Sequence, residues 1–395
     1  SFEALVEALL GPCGARFLAW NILLANFGTA AAYTIVLHDR VAWVLGSAFG
    51  PAAKERWGVG AAAAALLALS VPLSACRSVM ALRWSTRLSL ALIVAFVALA
   101  VGYACVGAAA ASSSAGAGGS GRALWWWRWG GLEALAGDGL PVGVFAFSAT
   151  SQVLPVWGEL QRSAVSAASA APAGQRGEAR TVLSQGCQRQ AEVPLLTSAA
   201  AASVRAQMDR VLACAVGFSL AAYAAVGAAG LAAFQGAVQE DVMDNYLAGS
   251  GGGSFRSLGW ALRAVALSYG LLMAFAVPVT LFPARRSLNF LLSGAVAEAE
   301  VPAGRLAVQG AALALGAFAA GRLCRDLVAI LDLVGATSAV WVCVVLPVLL
   351  FLRGARPAPS PRARLAAKAV LWSGGALGLL SLACTLERRL RPALR

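Results

Sequence analysis

The chain has 395 residues, of which 59% are hydrophobic and only 12% are charged, and its formal net charge is +13. Soluble domains carry about 25% charged residues, so this chain lacks the polar side chains that would cover a water-soluble particle of its size. A mean hydropathy of +0.74 and long apolar runs indicate an all-α membrane protein. The same runs exclude a transmembrane β-barrel, because barrel strands alternate apolar and polar residues.

The basic residues stand in short loops between apolar runs, which is a topological signal of membrane proteins and not a nucleic-acid-binding surface. The eight cysteines are scattered without a C-x-x-C pair, so no zinc site is predicted. A single histidine, His38, excludes a multi-histidine metal centre. We therefore expect no metal centre, no organic cofactor and no nucleic-acid partner.

Nine segments are long and apolar enough to be candidate membrane spans. They are Arg16–Leu37, Val59–Cys76, Leu88–Val106, Pro141–Leu160, Val211–Phe234, Ala261–Phe282, Gly304–Leu323, Leu327–Leu352 and Leu365–Leu386. Arginine and lysine are concentrated in one alternate set of loops, which places the residues before the first span in the cytosol. The C-terminus is then outside the cell or in a lumen, although its arginine-rich tail departs from the charge pattern.

Three further segments are predicted to lie outside the spans. Residues 2–11 have the pattern of a loop or an amphipathic stretch. Residues 112–138 are rich in serine, glycine and tryptophan, and we expect them to form an extracellular or luminal loop. Residues 161–209 are rich in alanine, serine and arginine, and the composition predicts a disordered cytosolic loop.

The fourth span carries a small polar patch directly before a proline. Ser148, Thr150, Ser151 and Gln152 precede Pro155, and a proline removes a backbone donor and clashes with the carbonyl four residues earlier. In transporters, discontinuous helices at mid-membrane expose backbone groups to the substrate. The patch therefore predicts non-helical backbone within Ser148–Ser151. An ordinary proline kink, with hydroxyls bonded to carbonyls one turn back, explains the pattern equally well.

The eighth span contains a carboxylate. Asp332 lies inside an apolar segment, and an intramembrane carboxylate is a candidate functional group by default. Asp326 lies only about a turn and a half earlier, so Asp332 also has the interface within reach. Gly335 and the small residues after it favour close packing with another helix.

Five stretches of the sequence, taken in order, carry a resemblance to one family of membrane proteins. They are GTAAAYTIVLHDRV, VPLSACRSVMALRWSTRLSL, FAFSATSQVLPVWGEL, AAYAAVGAAGLAAFQGAVQEDVMDNY, and the pair VPVTLFPARRSLNFLL and LVGATSAVWVCVVLPVLLFLR. Together they resemble the amino acid/auxin permease family, most closely its neutral amino acid transporter branch. The resemblance covers nearly the whole chain.

The resemblance implies a leucine-transporter-type fold, with two five-helix repeats of opposite topology plus one further helix. The first span here is similar to the third of the family's eleven helices, so we expect two helices to be missing. On that basis, we expect that residues 1–395 alone do not transport amino acids, whereas a longer form does.

The implied function is that of a secondary active transporter of neutral amino acids, coupled to protons or sodium, and not that of an enzyme. Its location would be the plasma membrane or a vacuolar or endolysosomal membrane. The alternatives are an amino acid sensor on the same fold and an inactive truncated transporter.

The resemblance also implies a set of site residues. Those expected to bind the substrate are Phe147, Ser148, Ala149, Thr150, Ser151 and Asn26, and the candidates for ion coupling are Asp332 and Thr280. The places that usually hold Cys-His-Pro in the neutral branch hold Ala149, Thr150 and Ser151 here.

A second departure concerns the hydroxyls that sodium-coupled members carry in the eighth family helix. Alanines stand in those places, at Ala274 and Ala276. Alanine supplies no oxygen ligand, which argues against sodium coupling, and Thr280 replaces the hydroxyls only if the register differs.

Overall fold

The computed structural model describes residues 2–74, 83–114, 198–234, 239, 241–249, 259–294, 301–354 and 359–390. Within these ranges every regular element is a helix, and seven helices are long and apolar enough to cross a membrane. The prediction of an all-α membrane protein is therefore confirmed. Residues 198–221 belong to one compact unit and the other described residues to a second. All packing described below is within the second unit.

The helices and helical turns are numbered in chain order. They are α1 Phe2–Phe49, α2 Pro51–Ser74, α3 Arg83–Ser114, α4 Ser198–Phe234, α5 Val242–Gly249, α6 Gly259–Ser293, α7 Ala303–Leu323, α8 Leu327–Val334, the π-helical turns π1 Gly335–Ala339 and π2 Trp341–Val345, α9 Leu346–Gly354 and α10 Pro361–Leu390.

Seven of the nine predicted spans coincide with the seven long apolar helical segments. The segments are Leu5–Phe49, Thr86–Cys105, Ala202–Phe234, Ala266–Ser293, Ala303–Leu323, Leu327–Gly354 and Pro361–Glu387. The second predicted span falls on α2, which is helical but is not one of the seven. The fourth predicted span, Pro141–Leu160, lies outside the described residues. The inverted-repeat relation and the two missing helices stay predictions.

Several helices extend beyond the predicted spans. Helix α1 begins at Phe2 and α4 at Ser198, so the end of the segment predicted as a loop, from Ser198 to residue 209, is helical. Helix α3 also continues to Ser114. Hydropathy detects only the apolar part of such a helix, whereas alanine and arginine sustain a helix outside it because both have high helix propensity.

Helix α1 is interrupted near its start and ends in a tight turn. Gly11 has φ 79° and ψ 176°, a conformation that side chains other than glycine rarely adopt, and Pro12 follows. Residues 2–10 are therefore a separate helical segment, and Val6 from this segment packs with Leu18. At the other end, Gly50 N–H donates to Gly46 O at 3.0 Å and α2 begins at once.

The main core lies where α1, α2, α6 and α7 meet. Its fully buried side chains include Leu37 of α1, Leu66 of α2, Val277 of α6 and Ala317 of α7. Small residues predominate on α1 and α7, which allows close approach of helices that cannot rely on a hydrophobic driving force between them in lipid. Helix α1 therefore contacts each of the other core helices.

A second cluster fixes the short helix α5 against α3, α4 and α6. The ring of Tyr246 is fully buried and meets Tyr103 edge-on, with centroids 5.1 Å apart, and Phe234 at 4.9 Å. Edge-to-face aromatic pairs at such separations add to the stabilisation from buried area. Helix α5 is thus packed into the protein and does not lie loosely on its surface.

Candidate functional site

The segment between Leu327 and Gly354 is a helix with two π-helical turns in its middle. Asp326 caps its start, because its Oδ1 accepts from Ala329 N–H at 2.8 Å. The turns π1 and π2 then follow, separated by Val340 alone. π-Helical turns are rare and frequently mark functional sites, since they widen the helix and re-aim its side chains.

Asp332 lies less than one turn before π1. Asp332 is only 3% exposed, so its carboxyl group lies inside the protein and not at its surface. This burial removes the alternative that Asp332 is an exposed interfacial charge. Ser338 of π1 is also buried, and the Thr337 hydroxyl donates to Leu333 O. Polar groups buried in an apolar segment are costly, and a function is the usual reason for keeping them.

Helix α1 lies directly against α8. A Cβ at Gly28 would lie 2.5 Å from Val334 Cγ2, so only a glycine permits this approach. Asn26, two residues earlier, is half-buried, and its Nδ2 donates to Ile22 O at 2.7 Å. The structure thus brings the helices that carry Asn26 and Asp332 into contact, and the roles of the two residues stay predictions.

Thr280, the other candidate for ion coupling, lies on a different helix from Asp332. It lies half-buried on α6 between Pro278 and Pro283. The main packing partners of α6 are α1, α2, α3, α7 and α5. The two coupling candidates, Thr280 and Asp332, therefore share α1 as a neighbour, and α8 is not among the main partners of α6. Ala274 is buried on the same helix.

A buried ionic cluster ties α1 to the segment before and within α5. Arg40 is 2% exposed, and its Nη2 lies 2.7 Å from both Asp241 Oδ2 and Asp244 Oδ1. Asp241 Oδ1 also accepts from Met243 N–H at 2.9 Å. Burial raises the pKa of Asp241 above its ordinary value of 3.8, although the charge of Arg40 opposes the shift. The cluster therefore holds a partly desolvated carboxylate.

Two of the cavities on the described part of the chain border the elements that carry these residues. One, of about 390 Å³, borders the ionic cluster and is lined by Gly227, Gly230, Asp241, Tyr269 and Leu327, among others. The other, of about 310 Å³, is apolar and lies between the start of α1 and the end of π2, with Phe17, Asn21, Trp341 and Leu346 in its wall. The first is the more polar of the two and lies beside the start of α8.

The five expected substrate-binding residues of the fourth span, Phe147, Ser148, Ala149, Thr150 and Ser151, lie outside the described residues. The cluster of Arg40, Asp241 and Asp244 was not predicted from the sequence. The sequence does contain a signal, because Arg40 follows an apolar run and Asp241 and Asp244 belong to an acidic segment. The π-helical turns had no comparable signal in hydropathy.

Residues 193–386 match the family described as transmembrane amino acid transporter protein. The members of that family are transporters and not enzymes. The match contains all elements from α4 to α9 and most of α10, hence Asp332, Thr280 and both π-helical turns. The last two of the five stretches noted in the sequence fall within it, and the first three precede it. No curated protein and no solved structure matches the chain.

Proposed function

We propose, on the premise that residues 193–386 of this chain belong to the transmembrane amino acid transporter family, that the protein is a secondary active permease for neutral amino acids. It is an integral, multi-pass membrane protein, and we place it in the plasma membrane or a vacuolar or endolysosomal membrane. The observation that carries the proposal is the buried Asp332 directly before two π-helical turns, within the family match and against α1.

The substrate class is proposed from the family match and from the residues expected to bind the substrate. An α-amino acid presents an ammonium and a carboxylate, which the backbone groups of a discontinuous helix recognise in other transporters. We assign this role to residues 147–151, with Asn26 of α1 as a further polar contact. The side chain of a neutral amino acid then meets apolar surface, in keeping with the scarcity of charged residues in the spans.

Ion coupling is assigned to Asp332. A carboxylate buried in an apolar segment changes its proton occupancy readily when its surroundings change. Sodium would require several oxygen ligands, and the alanines at positions 274 and 276 supply none. We therefore favour a proton as the coupling ion, with sodium as the competing outcome of the test.

The test is uptake of labelled neutral amino acids into proteoliposomes under an imposed pH gradient or an imposed sodium gradient, together with counterflow. We expect saturable uptake driven by the pH gradient, in contrast to the expectation from the resemblance that residues 1–395 alone do not transport. Saturable binding without uptake or counterflow would instead indicate the sensor, or an inactive transporter. An absence of both binding and uptake, with folded protein, would overturn the proposal.

Two variants and one control variant test the residues. Asp332→Asn should abolish accumulation driven by the pH gradient while counterflow persists, whereas Asp209→Asn, at an exposed position of α4, should leave both unchanged. Thr150→Val should weaken transport by about 1–3 kcal/mol on the binding role proposed for Thr150, because a polar partner would lose its hydrogen bond to the hydroxyl. Accumulation by Asp332→Asn at the wild-type level would remove Asp332 from the coupling role.

A further inference from the structure

The contact between α1 and α7 is tight along most of its length. The Thr34 hydroxyl donates to Ala31 O at 2.8 Å and lies 3.3 Å from Ala317 O of α7. A Cβ at Gly321 would lie 2.9 Å from Ala31 O, so the backbones meet without an intervening side chain. The contact ends one turn later, at His38 of α1 and Arg322 of α7.

His38 lies between a carboxylate, that of Asp39, and a guanidinium group, that of Arg322. Its Nδ1 is 3.1 Å from Asp39 Oδ1, and its Nε2 is 3.3 Å from Arg322 Nη1. A guanidinium group only donates hydrogen bonds, so Nε2 must offer a lone pair to it. The geometry therefore selects one form of the ring, the neutral imidazole with its proton on Nδ1, which donates to Asp39.

Protonation of this ring changes one of its two contacts. The bond to Asp39 is kept and becomes charge-assisted, but Nε2 gains a proton and faces a guanidinium that cannot accept it. Two positive groups then meet at a side chain that is only 15% exposed, where water screens their repulsion poorly. The contact between His38 and Arg322 cannot persist in that state.

Other ionisable groups lie near this end of α1. Arg40 lies two residues further along the same helix and is compensated by Asp241 and Asp244. Tyr269 lies on α6, and Asp326, in the linker after α7, caps α8. Among the groups described here, Asp39 and Arg322 are those in contact with the imidazole, and the two have opposite effects on its protonation.

We propose that His38 is a proton-binding latch that joins α1 to α7 when neutral and releases Arg322 when protonated. Arg322 stands in the last turn of α7, and only residues 324–326 separate that helix from α8. Release therefore frees the end of α7 directly before the helix that carries Asp332. The consequence for transport rests on the proposed function, whereas the proton switch itself does not.

The switch can be measured without any variant, because His38 is the only histidine in the chain. Nitrogen NMR of histidine-labelled protein in lipid nanodiscs then gives the signals of one ring. At high pH the latch requires the proton on Nδ1. A neutral ring protonated on Nε2 would overturn the proposal.

Two matched arginine variants test the partner. Arg322→Gln replaces the charged donor that faces Nε2 and should change the Nε2 signal of the neutral ring. Arg325→Gln removes the same charge three residues later, at an exposed position, and should leave that signal unchanged. Equal changes of the Nε2 signal in the two variants would show that Arg322 has no specific contact and would refute the latch.

A transport measurement separates the latch from the proposed function. The uptake rate of the wild type should differ between the pH at which NMR shows a neutral ring and the pH at which it shows a protonated one. His38→Gln, which keeps a neutral hydrogen-bonding side chain, should respond less to pH over the same range. Identical pH profiles with an intact NMR signature would show that the switch does not control transport, against the proposal. If neither protein binds or transports amino acids while the signature is present, the proposed function fails and the proton switch stands.

Discussion

Replacing Arg40 by methionine tests the ionic cluster between α1 and the segment around α5. Methionine is similar in length, so the change removes the charge and the hydrogen bonds while largely keeping the packing of the aliphatic stem. Arg40 contacts two carboxylates at equal distance, 2.7 Å, but their surroundings differ: the Asp241 side chain is 15% exposed and that of Asp244 is 49% exposed. The structure therefore assigns most of the loss to Asp241.

The loss in the free energy of unfolding on Arg40→Met follows from that difference in burial between Asp241 and Asp244. Removing one partner of a buried ion pair costs about 3–5 kcal/mol, because the other charge is left uncompensated. An upper bound applies, since Asp241 can take up a proton instead. For a carboxyl with its ordinary pKa of 3.8, protonation at pH 7 costs about 4 kcal/mol, and burial lowers that cost. We expect Arg40→Met to destabilise the protein by about 3 kcal/mol at pH 7.

The assay is equilibrium unfolding in mixed micelles at pH 5 and pH 7. The loss should be smaller at pH 5, where protonation of Asp241 costs less. The double variant Arg40→Met/Asp241→Asn should recover at least half of the loss, because it replaces the ion pair and does not merely break it. Asp244→Asn alone should cost less than about 1 kcal/mol. A loss for Arg40→Met equal to that of Asp244→Asn, or one independent of pH, would refute the assignment.

Three further changes have defined outcomes. Gly28→Ala should destabilise the protein by about 1–3 kcal/mol in the same unfolding assay, because the new Cβ would overlap Val334. The control Gly102→Ala on α3, with open space around the Cβ, should be neutral or stabilising. Equal effects of the two changes would argue against the close contact of α1 with α8. Gly11→Ala should cost about 1–3 kcal/mol from backbone strain alone, since φ is +79° and nothing lies near the new Cβ, and a neutral result would count against the break in α1. Burial raises the pKa of Asp241 above 3.8, so the protonated Asp241 contributes stability below pH 3.8, and this contribution is lost as the pH rises through the pKa of the folded state. Asp241→Asn should therefore flatten the fall in stability over that pH range. A slope as steep as that of the wild type would contradict the raised pKa.

Hydropathy predicted most of the helical architecture, because the requirement for about 20 apolar residues per span is met almost independently of tertiary structure. It did not predict that α4 begins at Ser198 or that α1 begins at Phe2. Those ends lie outside the apolar segment, where helix propensity and local packing decide the conformation. These two helices therefore extend beyond the predicted apolar spans.

The candidate site was predicted only in part. Asp332 was identified because a carboxylate in an apolar run stands out in the sequence, but whether it is buried depends on the neighbouring helices. The contacts of His38 with Arg322 and of Arg40 with Asp241 and Asp244 were not predicted, because each joins positions more than 200 residues apart in the chain. Pairwise contacts of that kind leave no trace in composition or periodicity.

The two π-helical turns alter how the end of this segment faces its surroundings. Each π-helical turn accommodates about one residue more than an α-helical turn, and one residue corresponds to roughly 100° of rotation. A helical wheel drawn continuously from Leu327 to Gly354 would therefore assign the wrong side of α9 to lipid. Among the residues of α9, Leu346 is the buried one, and its orientation depends on the extra residues before it. Deleting a single residue between Gly335 and Val345 would thus rotate α9 by roughly 100° about its axis, and this rotation would matter more than the small shortening of the segment.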